Sequence, residues 1–274
     1  MTTLAVPTIA PSRAATLFDV LRAEWTKFRT TPGSLWMLVA VVVVTVGGAA
    51  ATAASIECPT GGCTGDPAKI SLTGVQLSQA IVAIIGALMV GGEYRTNMIH
   101  TTFAATPRRI RVLAAKAIIV IGVVAPAALV SVLGSVLVGR LIVPGQGFTP
   151  EKGFAVLSLS DGAVLRATFG SMLYLVLIAL FAVGLAVIAR DSAATIGIVL
   201  GLLYVFAIVA QVVPDTDLQE RLKEIAPMTA GLAIQATKDL AKLAISPWHG
   251  LAVLAAWAFG SLFVGGLLLK FRDA

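Results

Sequence analysis

The sequence predicts an all-α, polytopic membrane protein with six transmembrane helices, and three observations predict it. The 274 residues are 58% hydrophobic and 12% charged, with a mean hydropathy of +0.94. That is too apolar for a soluble domain of this length. Six runs, 35–55, 72–91, 113–143, 165–189, 193–213 and 248–269, offer about the 20 apolar residues that a spanning helix requires. Lipid gives unpaired amides no partner, so runs of this length close their hydrogen bonds within themselves as helices. Two regions follow: 1–34, a tail with an amphipathic helix, and 35–274, the six-helix membrane domain.

Orientation comes from the bases. With both termini inside, the inner segments hold 12 Lys and Arg and the outer segments 8, while 5 acids lie inside and 9 outside. The bases concentrate beside the first three spans, so the prediction is N-in, C-in. The formal charge of +6 then sits against anionic headgroups of membrane lipid. No basic, aromatic-bearing soluble module is present to bind nucleic acid.

Taken in order, residues 1–11 carry no charge and no helical pattern, as expected of a loose tail. Over 12–30, Leu17, Leu21, Trp25 and Phe28 recur at spacings of four, four and three, and Asp19, Arg22, Thr26 and Arg29 lie largely opposite. Such a helix lies flat on the inner leaflet with Trp25 at the interface. Thr31-Pro32-Gly33 breaks it before the first span. Ala51-Thr52-Ala53 has the look of a signal cleavage site, but the apolar run before it exceeds a signal core, and the span is expected to be retained.

Cys58 and Cys63 fall in an outward loop, where an oxidising exterior favours a disulfide closing the intervening turn. Two free thiols are the alternative, and two ligands are too few for a structural metal. Pro126 is expected to kink the third span or unwind one turn of it. Arg190-Asp191-Ser192 is a very short inner turn, which makes the fourth and fifth spans an antiparallel pair. In the fifth span Gly197, Gly201, Tyr204 and Gln211 share a face, with the glycines in small-xxx-small spacing. That predicts close helix approach or, at its outer end, a translocation face. The outer segment 214–246 reads as two short helices, one through Leu218, Leu222 and Ile225 and one over 233–243, capping the outer mouth.

Absences narrow the function. No Gly-x-x-x-x-Gly-Lys-Ser/Thr occurs, so no P-loop lies in these residues. Neither histidine lies near a span centre and no Gly-x-Ser motif falls within a span, which disfavours an intramembrane serine protease. No acid or base occupies the central turns of a span, whereas ion-coupled carriers place such groups at mid-membrane. Catalytic, metal and cofactor-binding residues are therefore not assigned.

The polar loop 92–112 is where the chain departs from generic membrane helix. Gly92-Glu93-Tyr94-Arg95-Thr96-x-Met98-Ile99-x-Thr101-Thr102-Phe103-Ala104-Ala105-Thr106-Pro107-Arg108-Arg109, followed by Lys116, resembles the loop after the second span in actinobacterial ABC-2-type transporter permeases. Glu24-Trp25-Thr26-Lys27-Phe28-Arg29-Thr30 resembles the short helix before their first span, and Ala226-Pro227-Met228-Thr229-Ala230-Gly231 resembles their last outer segment. The resemblance implies the permease subunit of an ATP-binding-cassette exporter, not itself an enzyme. It would pair with a second permease copy, identical or closely related, and with separate ATPase chains that carry ATP and Mg. In that family the loop is a coupling helix. Carried over, it runs from about Thr96 to Ala105 and docks the ATPase through Met98, Ile99 and Phe103, with Arg95 and Arg108 pairing to acids. Glu93 is then an internal strut to Lys27, Arg29 or Lys116. The alternative is a non-transporting membrane sensor or assembly factor that docks a soluble partner through the same loop.

Overall fold

The computed structural model describes residues 16–57, 65–96, 98–105, 108–149, 154 and 157–271. Among them all regular structure is helical. In chain order the helices are α1 (Leu17–Thr30), α2 (Pro32–Ser55), α3 (Pro67–Ser71), α4 (Gly74–Arg95), α5 (Met98–Ala105) and α6 (Arg109–Ile142). They continue with α7 (Gly162–Ala189), α8 (Ser192–Leu200), α9 (Phe206–Val212), α10 (Thr216–Ile225), α11 (Pro227–Leu232) and α12 (Pro247–Phe271). Six stretches are long and apolar enough to cross a membrane: α2, α4, α6, α7, the α8–α9 pair and α12. This is a multi-pass, all-α membrane architecture. The loop carrying Cys58 and Cys63 lies outside the described residues.

The bundle is organised around α4 and α7. Their most apolar windows are 61% and 67% buried, against 22% for α2 and 28% for α8–α9, so these two helices form the spine and the others flank it. Small residues permit the close crossings. A Cβ added at Gly86 of α4 would stand 2.4 Å from the Ala179 carbonyl oxygen of α7. One added at Gly74 would stand 1.9 Å from the Thr45 carbonyl oxygen of α2. Backbones this close forgo hydrophobic side chains in exchange for dense van der Waals contact, the usual arrangement when lipid is as apolar as the helices.

Chain turns are fixed by short side chains. Thr16 caps α1 in a reciprocal capping box with Asp19. Asp191 caps α8 by accepting from the Ala194 amide at 2.7 Å, and Arg190 before it takes a left-handed φ of 57°. The one-residue reversal this allows keeps α7 and α8 side by side. The helix α6 runs unbroken past Pro126, so the sequence expectation of an unwound turn there is not met.

The fifth span differs from expectation in two ways. It contains a π-turn at Gly201–Val205 between α8 and α9, and one widened turn re-aims the residues beyond it. The Tyr204 hydroxyl then donates to the Gln76 carbonyl of α4 at 2.9 Å, and the Gln211 amide turns back to Ala207 at 3.2 Å. Close packing at Gly197 and Gly201 does not occur within the chain. A Cβ at either glycine would meet nothing within 4 Å, because the stripe faces outward beside α4.

The segment before the last span also departs from its sequence reading. α10 forms as expected, capped by Asp215, and buries none of its residues. The predicted second external helix over 233–243 is absent. Two single 3-10 turns, Ala233–Gln235 and Leu240–Lys242, replace it. α11 and the turn after it sink into the bundle, burying Met228, Ala230, Ile234 and Gln235. Their polar needs are met from the spans. The Tyr174 hydroxyl donates to the Gln79 side-chain oxygen, and the Gln79 amide donates to Met228 Sδ at 3.2 Å. The Gln235 amide donates to Ser171 at 3.1 Å. Buried side chains that satisfy one another make this insertion tolerable. Asp66 closes the same end, capping α3 and accepting from the Thr237 hydroxyl at 2.6 Å and the Lys238 amide at 3.0 Å.

Candidate functional site

At the opposite end, α1 and α5 pack across the ends of the first three spans, and the polar loop takes shape there. At roughly 100° per residue, α1 divides into three sectors. Val20, Glu24 and Phe28 are buried against the bundle. Leu17, Phe18 and Trp25 are exposed apolar residues, and Asp19, Arg22, Thr26 and Arg29 occupy the remaining polar sector. The four apolar residues singled out in the sequence thus separate. Trp25 points outward, Leu21 is half-buried and Phe28 turns inward at 5% exposure, while Leu17, in line with Phe28, is exposed in the first turn.

Glu24, on the inward face, is 1% exposed and is the centre of a four-residue ion cluster. Its Oε1 accepts from Lys27 at 2.8 Å and its Oε2 from Lys116 at 2.7 Å. Both ammonium groups also reach one oxygen of Glu93, Lys27 at 2.6 Å and Lys116 at 2.9 Å from Oε1. Lys116 adds the Met89 carbonyl at 3.1 Å, and Lys27 adds the Thr102 hydroxyl at 3.2 Å. Two carboxylates and two ammoniums cancel, so the cluster bears no net charge at neutral pH. It joins α1, α4, α5 and α6 at a single point. For Lys27, burial opposes the charged form, but the hydrogen bonds it donates to Glu24 and Glu93 outweigh it and hold its pKa above the ordinary 10.5. One polar atom is left over: Glu93 Oε2 is buried and accepts no hydrogen bond.

The strut expected from Glu93 to Lys27 or Lys116 corresponds to these distances, while Arg29 is exposed. Glu24 was missed as a site residue, yet its sequence position carried a signal. On the α1 wheel it lies between Val20 and Phe28, inside the apolar half, and a charge on an apolar face needs a buried partner.

Thr96 ends α4 by donating its amide to the Gly92 carbonyl, Asn97 lies outside the described residues, and the described part of α5 begins at Met98. Its orientation corrects the predicted docking set. Ile99 is 3% exposed, and Phe103, one turn on, packs into the core beside Val20, Val112 and Ala115. Arg109 stacks over the Phe103 ring at 5.2 Å and donates to the Leu269 carbonyl at 3.1 Å. Ile99 and Phe103 therefore anchor α5 to the bundle, Ile99 almost wholly buried and Phe103 partly so. The outward face consists of Met98, His100 and Thr101, flanked by exposed Arg95 and Arg108. The cause is the four-residue spacing: Ile99 and Phe103 share one face, and an apolar pair on an eight-residue helix is buried before it is displayed.

The arrangement holds no nucleophile paired with a base among the described residues. What it supplies is a small exposed helix whose inner face is held to α1, α4 and α6. Neither a family model nor a curated protein matches the sequence.

Proposed function

We propose that this chain is the membrane-spanning permease subunit of an ATP-binding-cassette exporter in the cell membrane, driven by a separate ATPase that docks on α5. The observation carrying this reading is the placement of α5. It presents Met98, His100 and Thr101 between two exposed arginines, while Ile99, Phe103 and the ion cluster bind it to α1 and to the ends of α4 and α6. A push on the exposed face is delivered to α1, α4 and α6 together, because buried Ile99 and the ion cluster tie α5 to them. These residues contain no P-loop, so on this reading the energy comes from the separate ATPase, and the distribution of bases favours a cytoplasmic position for this end and both termini. α1 then lies at the inner leaflet with Leu17, Phe18 and Trp25 toward lipid.

A second copy completes the path. The outward face of the fifth span, beside α4, carries Gly197 and Gly201 with no described residue packed on them, and α2 on the other side of α4 is likewise little buried. The glycine-bearing face suits close approach of another membrane helix. Half-exposed Tyr204 and exposed Gln211 give that face its polar contacts.

The docking test follows from the corrected geometry. Met98→Asp combined with Thr101→Glu is expected to abolish co-purification with the ATPase while leaving the thermal midpoint of the isolated permease within about 2 °C, since surface changes cost little. An intact complex from that double variant sinks the docking assignment. A stable partner that lacks a P-loop favours the sensor or assembly-factor reading instead.

A further inference from the structure

Beside the ion cluster lies a cavity of about 350 Å³ between α1, the start of α2, the end of α4 and Met98 of α5. Its walls are apolar along most of their length, formed by Phe28, Met37, Ile85 and Leu88. Its polar end is built from Glu24, Lys27, Glu93 and Arg95. Two features there are unmet. Glu93, whose side chain is 9% exposed, directs both lysines to Oε1 and leaves Oε2 without a donor. Arg95 is exposed and forms no ion pair with a described residue.

We propose that this cavity binds one monoanionic phospholipid whose headgroup carries a hydroxyl, of the glycerol- or inositol-phosphate class, drawn from the adjacent leaflet. Charge sets the sign. The cluster of Glu24, Glu93, Lys27 and Lys116 is neutral, and Arg95 at the same end adds one positive charge, so this end lacks one negative charge. A phosphodiester on Arg95 supplies it. Hydrogen bonding sets the headgroup. Oε2 of Glu93 needs a donor, and a further cation beside two lysines is disfavoured, whereas a neutral hydroxyl is not. A choline headgroup has no N–H or O–H to offer. The apolar wall sets the source, because a soluble polyol phosphate leaves Met37, Ile85 and Leu88 uncovered, whereas an acyl chain covers them. Exposed Trp36 in the first turn of α2 and exposed Trp25 of α1 sit at this end of the bundle, as side chains at a membrane–water boundary do.

The test uses the purified, delipidated full-length chain in detergent and native mass spectrometry. Equal concentrations of phosphatidylglycerol, phosphatidylmethanol (monoanionic, without a headgroup hydroxyl) and phosphatidylcholine are added. Phosphatidylglycerol adducts are expected to persist about tenfold over phosphatidylcholine, the worth of one charge-assisted hydrogen bond, with phosphatidylmethanol between them. Leu88→Trp, which fills the cavity from its half-exposed wall, is expected to remove the preference. Glu93→Gln turns the free acceptor into a donor or leaves it weaker, so it should erase the advantage of phosphatidylglycerol over phosphatidylmethanol. If Glu93→Gln does not fold, Leu88→Trp decides. Equal retention of the three lipids, or a preference that survives Leu88→Trp, overturns the site. Displacement of bound lipid by millimolar glycerol 3-phosphate overturns the lipid as its source.

Discussion

At the scale of single residues, the charges that matter are the buried ones. Lys116 is 2% exposed and serves both carboxylates of the cluster. Lys116→Met leaves Glu24 and Glu93 sharing only Lys27, and removing one member of a buried ion set costs about 3–5 kcal/mol. The expected result is a clear drop in the denaturation midpoint in detergent, partly restored in Glu24→Gln/Lys116→Met. A midpoint unchanged in the single variant removes the cluster from any structural role. The sign of the pH dependence follows from Lys27. Its folded pKa is raised, so its contribution is fully present below the ordinary value of 10.5 and is lost as pH rises through the folded value. Stability measured between pH 6 and 9 should therefore show no transition from Lys27, and alkaline titration should reveal one.

At the scale of elements, neighbouring helices treat glycines in opposite ways. Gly74→Ala drives a methyl into the Thr45 carbonyl of α2, so a loss of about 1–3 kcal/mol and a lower thermal midpoint are expected. Gly197→Ala fills open space and should leave the midpoint of the isolated chain unchanged, while lowering self-association if a second copy uses that face. The same scale explains which parts of the site the sequence made legible. The amphipathic spacing of α1 and the short α5 between flanking bases are visible as patterns. Ile99 and Phe103 stand as partner contacts only through the resemblance to a coupling helix, which names residues of the loop without saying which face of it meets the bundle. Glu24 was legible only as an anomaly on the apolar side of a wheel.

At the scale of the whole molecule, two central spans carry the packing while α2 and α8–α9 turn outward, which leaves a broad apolar flank beside α4. On the proposed reading that flank meets another copy across the exposed glycine stripe. Gly201→Cys should then form intermolecular cross-links with a short bifunctional thiol reagent in membranes, and Gly260→Cys on α12, also in open space, should not. Cross-linking at position 260 but not at 201 assigns the contact to the other side of the bundle. The two ends of the molecule differ in kind. One is closed by α11 and the Asp66 clasp, with neutral hydrogen bonds among Gln79, Tyr174, Ser171 and Gln235. The other is held by charge and carries the exposed helix.

The sequence by itself determined the six spans, their rough ends, the helix ahead of them and the basic loop after the second. Each depends on hydropathy summed over a window or on local capping chemistry, which needs no neighbour. Only the tertiary structure decided that α11 enters the bundle, that Ile99 and Phe103 face inward, that Gly197 and Gly201 meet nothing within the chain, and that Glu24 lies buried against Lys116. In a membrane the lipid is as apolar as the protein interior, so hydrophobicity cannot distinguish a face turned to lipid from one turned to another helix. Packing geometry and the pairing of a few polar atoms make that choice.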